Sequence, residues 1–406
     1  MLENQRIALY ITGGIASYKM GEFARRLIKA GCDVRVAMTE SAQAFITPLT
    51  LQTLTKHKVL VDTFDEDDPA VVQHIHLADW TDFAIVAPAT ANILGKMAHG
   101  IADDIVSSCL MATNVPTIVF PAMNTKMYDN PATQRNIAQL EADGKHIVQP
   151  ATGFLAEGYE GRGRLPDYDT LMEEVTAFVA RHTLPQVLSG QRVLISAGGT
   201  VEAIDPVRYI SNRSSGKMGY ALAQAASWLG GDVTLVSTTK ALTEPAGVQV
   251  EYVQSARELH ERMHHYFEQA DIVIMAAAVS DYRAKNIASS KIKKSQQDTQ
   301  VMQIDLEENP DILASLGAKK ALDQVLIGFA AETDDVLDNA RAKLRRKGAD
   351  WIIANDVSDQ SIGFNSDENQ VTLISQDQEI SLPRMRKEVV ALEVFQTLFA
   401  DCDERA

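Results

Sequence analysis

In the second half of the chain, SAGGTVEAIDPVRYISNRSSGKMG (196–219) gathers a Gly-Gly turn, an Asp-Pro turn, an Arg four residues before an Asn, and a Ser-Ser-Gly-Lys cluster. Hydroxyls, backbone N–H groups beside glycine and a lysine together suggest a phosphate cradle. It is not a P-loop. A Walker A loop needs Gly five residues before its Gly-Lys and Ser or Thr after it, whereas Ser211 and Met218 occupy those positions. An irregular stretch of this length inside a domain is usually functional. In the first half, HIHLADW carries His74 and His76, and PAMNTKMY carries Asn124 and Met127. A histidine titrates near neutrality and is the residue type for moving a proton, but spacing alone does not choose between these two, nor between a site and a surface or capping role. Gly13 and Gly14 close an apolar run, where backbone N–H groups can approach a phosphate or a flavin, or simply make a tight turn. The G-x-G-x-x-G spacing of a dinucleotide fold is absent there, which weighs against an NAD enzyme. Lys291 opens a KIKK run that reads most simply as a solvated basic patch. Lys343 and Lys347 form an i,i+4 pair whose mild repulsion a bound anion would relieve. The three cysteines, Cys32, Cys109 and Cys402, are far apart and lack metal-ligand spacing, so neither a disulfide framework nor a zinc site is expected, and metal ligands stay unassigned.

The elements that must position these groups read as α/β throughout. RIALYIT, DVRVAMT, FAIVAPAT, PTIVFPAM and HIVQPA have the apolar character of buried strands, and YKMGEFARRLIKAG, ATQRNIAQLEADG and TLMEEVTAFVARH read as helices. That alternation predicts a doubly wound domain, in which ligands bind at the carboxyl ends of strands, where TGGIAS, MTES, APATAN and PAMN fall. HTLPQVLSGQ interrupts the periodicity, after which RVLISAGGT repeats the strand-then-Gly-Gly layout and DVTLVST, ADIVIMAAAV, VLIGFAAE and ADWIIAND add strands. The reading is two doubly wound, Rossmann-like domains, residues 1–189 and 190–406. NIASSKIKKSQQDTQ, polar and partly basic, is expected to be a mobile loop. The net charge of −16 disfavours nonspecific binding to nucleic acid or an anionic membrane. The start of the chain lacks a signal-peptide pattern and the most apolar run has only strand length, so a cytoplasmic location is expected.

Taken in order, TGGIASYK, MTESA, HIHLADW, APATANILGKMAHGIADD and PAMNTKMY resemble the homo-oligomeric flavin-containing cysteine decarboxylases, and the second half resembles their fusion partner. The whole chain resembles the bifunctional phosphopantothenoylcysteine decarboxylases and phosphopantothenate–cysteine ligases of bacterial coenzyme A synthesis. The resemblance implies a flavodoxin-like first domain holding FMN, with Gly14, Ser17, Thr39, Phe45 and Thr90 in flavin-contact segments, His74 as catalytic base and Asn124 on the substrate carboxylate. In that family FMN oxidises the cysteinyl thiol to a thioaldehyde, which accepts the electrons released as CO₂ departs. The family's flap carries a Cys acid used when reduced FMN returns electrons; here the flap reads GFLAEGYEGRGR, with Glu157 at that position. The departure admits an alternative: an active ligase whose flavoprotein domain is a scaffold or regulatory module, or is impaired in reduction.

For the second half, the resemblance implies that CTP, with Mg²⁺, activates the carboxylate of 4′-phosphopantothenate as an acyl-cytidylate and that the amine of cysteine displaces CMP. Arg208 and Asn212 match the catalytic Arg and Asn, Asp281 the ribose contact, and Lys291 the lysine that reaches the phosphates. Pro310, Asp311, Phe329, Lys343 and Lys347 fall in the cytidine-binding and triphosphate-binding segments. The family also implies a homo-oligomer, trimer-based in the decarboxylase and dimeric in the ligase domains. A generic NAD-dependent oxidoreductase is the remaining, disfavoured reading.

Overall fold

The computed structural model describes residues 1–64, 70–156, 158–293, 302–332, 336–356 and 366–399, and the chain divides into two units, Met1–Thr183 and Leu184–Ala406. That division lies within the HTLPQVLSGQ interruption.

In the first unit the apolar runs become five parallel strands: β1 (Arg6–Ile11), β2 (Asp33–Met38), β3 (Phe83–Ala89), β4 (Thr117–Pro121) and β5 (His146–Ile147). The order across the sheet is β2-β1-β3-β4-β5, which is the flavodoxin-like order. Both faces are covered, so the strands need no polar side. Ile7, Leu9 and Ile11 of β1 enter one apolar cluster with Phe23, Leu27, Phe120 and Phe178, while Ala8 and Tyr10 enter the other with Val86, Ile93 and Ile137. This is the two-residue side-chain alternation of a strand buried on both sides. HIVQPA gives only a two-residue strand. After it come β6 (Ala151–Phe154) and β7 (Glu160–Arg164), an antiparallel hairpin outside the main sheet.

The second unit contributes β8 (Arg192–Ala197), β9 (Val201–Ala203), β10 (Tyr209–Ser211), β11 (Asp232–Ser237), β12 (Val248–Tyr252), β13 (Ile272–Met275), β14 (Tyr282–Ala284), β15 (Leu306–Glu308), β16 (Val325–Glu332), β17 (Trp351–Asp356), β18 (Glu368–Ile374) and β19 (Glu379–Arg386). Eight of these form one sheet in the order β12-β11-β8-β13-β16-β17-β18-β19. The first six pair in parallel and β18 and β19 close the edge antiparallel. Ranked along the chain, the parallel six run 3-2-1-4-5-6, the order of dinucleotide-binding folds, although the glycine fingerprint is missing. The small β9–β10 hairpin is inserted between β8 and the helix Lys217–Trp228. The last helix, Lys387–Phe399, packs against that helix. No helix among the described residues is long and apolar enough to cross a membrane.

Candidate active sites

In the first unit the order of strands reverses between β1 and β3, and the groups expected at the flavin meet at that edge. Thr12 Oγ1 donates to the Pro88 carbonyl at 2.6 Å, accepts the Thr90 N–H at 3.1 Å and lies 3.2 Å from Thr90 Oγ1. Ser17 Oγ lies 2.7 Å from the carbonyls of both Thr12 and Gly14. Gly14, Ser17 and Thr90 are thus assembled around Thr12. Of the two adjacent glycines, Gly13 is the sterically demanding one: a Cβ there would come within 2.1 Å of Ser41 Oγ, whereas one on Gly14 would meet only Thr90 Cγ2 at 3.5 Å. Thr39 follows β2, its N–H donating to Ile11 O at 3.0 Å and its hydroxyl 3.2 Å from Ser41. Phe45, exposed, closes the short helical turn Glu40–Ala44 that follows. The turn Ile15–Lys19 starts at Gly14 with no side-chain cap, and exposed Ile15 and Phe45 border the same edge. Open N–H groups, hydroxyls and uncovered apolar surface fit a planar group that carries a phosphate.

His74 and His76 lie on the helix Gln73–Trp80. His74 Nδ1 is buried with no hydrogen-bond partner among the described residues, whereas His76 is exposed. Asn124 caps the turn Thr125–Tyr128: its Oδ1 accepts the Lys126 N–H at 2.8 Å and its Nδ2 donates to Tyr159 Oη at 2.6 Å. No hydrogen bond links His74 to Asn124 among those described. The β6–β7 hairpin closes directly on Asn124. The Met123 N–H donates to Gly163 O at 2.9 Å, a Cβ on Gly161 would lie 2.2 Å from Thr125 Oγ1, and Gly163, at φ +139°, would put one 2.1 Å from Met123 O. These glycines permit close approach of the hairpin to the turn that Asn124 caps. Glu157 lies outside the described residues. Cys32 and Cys109 are buried, and burial pushes both thiols up to about 12.

The second site is a cavity of about 810 Å³ at the carboxyl ends of β13, β16 and β17, lined by Asn212, Asp281, Pro310, Asp311, Phe329, Lys343 and Lys347. It sits where the strand order reverses, between β8 and β13, and the loops after those strands are stitched together there: Ala278 N–H donates to Gly198 O at 2.8 Å and Thr200 N–H to Ala278 O at 3.2 Å. Gly198 and Gly216 adopt φ of +92° and +79°. A Cβ on Gly219 would stand 2.5 Å from Ala197 Cβ, so the start of the helix Lys217–Trp228 can press onto the end of β8 only without side chains. The roles of the dinucleotide glycines are present, split by the inserted hairpin. Gly216 gives the helix no side-chain cap; the Lys217 N–H donates to Ser215 Oγ at 3.5 Å, and this end of the helix lies in the cavity wall.

Asn212 Nδ2 donates to the carbonyls of Ala278 at 3.3 Å and Val279 at 3.1 Å. Lys343 Nζ donates to Phe329 O at 2.5 Å, and Lys347 pairs with Asp311. Burial pushes the Asp311 carboxyl up, but Lys347 and the Ala314 N–H outweigh it and hold the group below its usual range. Ser280 Oγ and Asn355 Oδ1 line the cavity, buried and without hydrogen-bond partners among the described residues.

Arg208 and Lys291 are not part of the lining. Arg208 grips the buried Asp205 through Nε at 2.9 Å and Nη2 at 2.5 Å, and also donates to Ile292 O at 2.8 Å. That bond, with the Val207, Ile292 and Arg208 N–H groups, keeps the Asp205 carboxyl far below its usual range. The segment expected to be mobile is therefore anchored in its described part: Ile292 N–H donates to Asp205 Oδ2 at 3.2 Å and Ala288 N–H to Ile204 O at 3.0 Å. Its residues 294–300 lie outside the described ones.

Two lysines at this cavity escaped the sequence reading. Lys217 pairs with Asp367 at 2.6 Å. Lys387 is buried, its Nζ donates to Ser366 O at 2.5 Å, and burial together with the Lys217 charge pushes it down to about 8. Lys217 was visible as the Gly-Lys of the 196–219 stretch; Lys387, in RMRKEVV, carries no local signal. Four lysines lining one cavity suit a polyanion.

Residues 1–180 match the family described as Flavoprotein, and residues 188–401 match the DNA/pantothenate metabolism flavoprotein C-terminal domain. The coenzyme A biosynthesis bifunctional protein CoaBC of Bacillus subtilis (strain 168) is 46% identical over 403 residues, covering 98% of each chain. That of Escherichia coli (strain K12) is 43% identical over 404 residues, 100% of this chain and 99% of the relative. A cysteine/cysteine sulfinic acid decarboxylase from an unknown prokaryotic organism is 43% identical over 337 residues, 82% of this chain and 93% of that protein.

Proposed function

The chain belongs to the coenzyme A biosynthesis bifunctional proteins, enzymes with phosphopantothenate–cysteine ligase and FMN-dependent decarboxylase activities, and we propose how its residues divide that work. Residues 1–189 hold FMN and decarboxylate phosphopantothenoylcysteine; residues 190–406 make it from 4′-phosphopantothenate, cysteine and CTP.

The observation that carries the ligase reading is the lysine-lined cavity at the β8/β13 reversal, with an uncapped helix start in its wall. A nucleoside triphosphate needs such cations, and Lys343, Lys347 and Lys217 supply them. The cytidine lies against Asp281, Pro310, Asp311 and Phe329. Phosphopantothenate attacks the α-phosphorus with loss of pyrophosphate; the cysteine amine then attacks the acyl carbon and CMP leaves. Asn212 holds the acyl oxygen as charge grows on it, exchanging one of its two bonds to the Ala278 and Val279 carbonyls for that contact. Arg208 fixes the segment carrying Lys291, which reaches the phosphates. Mg²⁺ would be bound through phosphate oxygens and water; among the described residues no cluster of three His, Cys, Asp or Glu side chains is placed to hold a metal.

In the decarboxylase, Gly14, Ser17, Thr39, Phe45 and Thr90 hold the flavin, whose chemistry when bound is the oxidation of the substrate thiol and the later return of the electrons. His74, unpartnered at Nδ1, takes the thiol proton. Asn124 has its Oδ1 fixed by Lys126, which leaves one hydrogen of Nδ2 for the substrate carboxylate. The hairpin excludes water. The units assemble as a homo-oligomer, trimeric through the decarboxylase and dimeric through the ligase, a reading supported by large exposed apolar side chains such as Leu49, Phe64 and Ile75. The cell compartment is the cytoplasm.

The residue at 157 favours a second reading, in which decarboxylation stops before the product is saturated: a solvated Glu is ionised at neutral pH and has no proton to give. Incubation of the full chain with phosphopantothenate, cysteine, CTP and Mg²⁺, followed by mass spectrometry, tests all of this. The cysteine adduct and then the saturated thiol are expected. Equal activity with ATP would overturn the nucleotide assignment, and accumulation of a thiol two hydrogens lighter would select the second reading.

A further inference from the structure

We propose that the Tyr159 hydroxyl is the proton donor that completes the decarboxylase product. The inference rests on the decarboxylase reading above and concerns its last stage. Loss of CO₂ leaves an aminoenethiolate. To saturate it, the carbon that carried the carboxylate takes a proton while the sulfur electrons fold the C=C bond into C=S. Bound FMN would supply to the sulfur-bearing carbon, as a hydride, the two electrons it took up earlier in the same cycle, leaving the thiolate, which solvent protonates. One acid is needed, and it must stand beside the carbon that lost CO₂.

The family places a thiol there, and this chain has Glu157. Cys32 and Cys109 are buried within the apolar clusters on the two faces of the sheet, away from the hairpin. At neutral pH an ordinary carboxyl, titrating at about 4.3, has lost its proton, while an ordinary phenol, at about 10, keeps it. Tyr159 sits just before β7, partly exposed at 39%, on the same hairpin two positions after the replaced residue.

Its partner makes the geometry specific. Asn124 Oδ1 accepts the Lys126 N–H, which fixes the amide so that Nδ2 faces Tyr159 Oη at 2.6 Å. The phenol oxygen is therefore the acceptor in that bond, and its own hydrogen stays available to donate. The same N–H steadies the oxygen as negative charge builds on it. Asn124 is also the residue assigned to the carboxylate, so the phenol lies next to the carbon from which CO₂ departs. Tyr159 gives its proton to that carbon and regains one from solvent.

The test uses the full chain loaded with FMN and given phosphopantothenoylcysteine anaerobically for a single turnover, reading CO₂, thiol mass and flavin absorbance. The parent should yield the saturated thiol and regain its yellow colour. Tyr159→Phe should release CO₂ within about threefold of the parent, accumulate the thiol two hydrogens lighter, and leave the flavin bleached. In the apoprotein, hydrogen exchange of the hairpin should be parental in Tyr159→Phe, since the Met123–Gly163 bond and the glycine contacts remain. Saturated product from Tyr159→Phe at the parental rate overturns the proposal. So does enethiol accumulation by Glu157→Gln but not Tyr159→Phe, or a parent that itself stays bleached. Loss of hairpin protection with parallel loss of CO₂ release would make Tyr159 a positioning residue and overturn it too. A parent that binds FMN but releases no CO₂ would sink the decarboxylase reading itself, a distinct result.

Discussion

Replacing Lys387 with Met should stabilise the ligase unit while weakening its hold on anions. Its ammonium is buried at the cavity wall near the Lys217–Asp367 pair, and its titration is pushed from 10.5 down to about 8. At about 1.36 kcal/mol per pH unit, that displacement corresponds to a ceiling of about 3.4 kcal/mol of native-state cost. Two terms reduce it: the bond from Nζ to Ser366 O, worth about 1 kcal/mol, is lost in the variant, and the Lys217 charge, a third exposed, is screened by solvent. A net gain of about 1 to 2 kcal/mol remains, or roughly 2 to 8 °C in Tm for a unit of this size. The sign follows from linkage. Below pH 8 both the folded and unfolded states carry the proton, so the cost is complete. Between about 8 and 10.5 the unfolded chain holds more protons than the folded one, and the cost fades as pH rises. Thermal unfolding of parent and variant should therefore show the widest Tm gap at pH 7 and little or none by pH 10.5. A variant less stable than the parent at pH 7, or a gap that ignores pH, would refute the reasoning.

Two further outcomes are expected. Asn212→Asp places a carboxylate against the Ala278 and Val279 carbonyls and removes a donor from the acyl oxygen. Ligase turnover should fall by about 10² to 10³, the effect of losing one such donor, with the fall read in kcat; unchanged turnover would take Asn212 out of the mechanism. His74→Asn should retain FMN by absorbance yet lose CO₂ release, and the same loss from His76→Asn with His74→Asn active would mean the wrong histidine was chosen.

The buried strands were legible because both faces of each sheet are covered, which leaves strands such as β3 apolar along their whole length. Their order was not, since it depends on which crossover passes which face. The edge hairpin of β18 and β19 escaped notice for a physical reason: edge strands alternate polar and apolar residues, and β19 contains Pro383, which only an edge position tolerates. At the sites, the 196–219 stretch announced itself through clustered Gly, Ser and Asn, and the cavity does gather Asn212 with residues more than 100 positions away, such as Lys343. The anchoring of Arg208 to Asp205, the burial of Lys387 and the bond from Asn124 to Tyr159 are products of tertiary packing. A basic run looks the same in sequence whether its lysine is solvated or enclosed.

The Asp205 clamp shortens the chain that has to be organised. With Ala288 tied to Ile204 and Ile292 tied to Asp205, Lys291 is carried on a span of three residues, 289 to 291, between fixed points. Ordering a free backbone costs about 1 to 2 kcal/mol per residue, and a long loop would lose that at each binding event. Here most of it is settled when the domain folds, so more of the attraction between ammonium and phosphate is left to appear as affinity. The lysine arrives as a preset charge on a short tether, and its reach is set by a carboxylate 86 positions earlier in the chain.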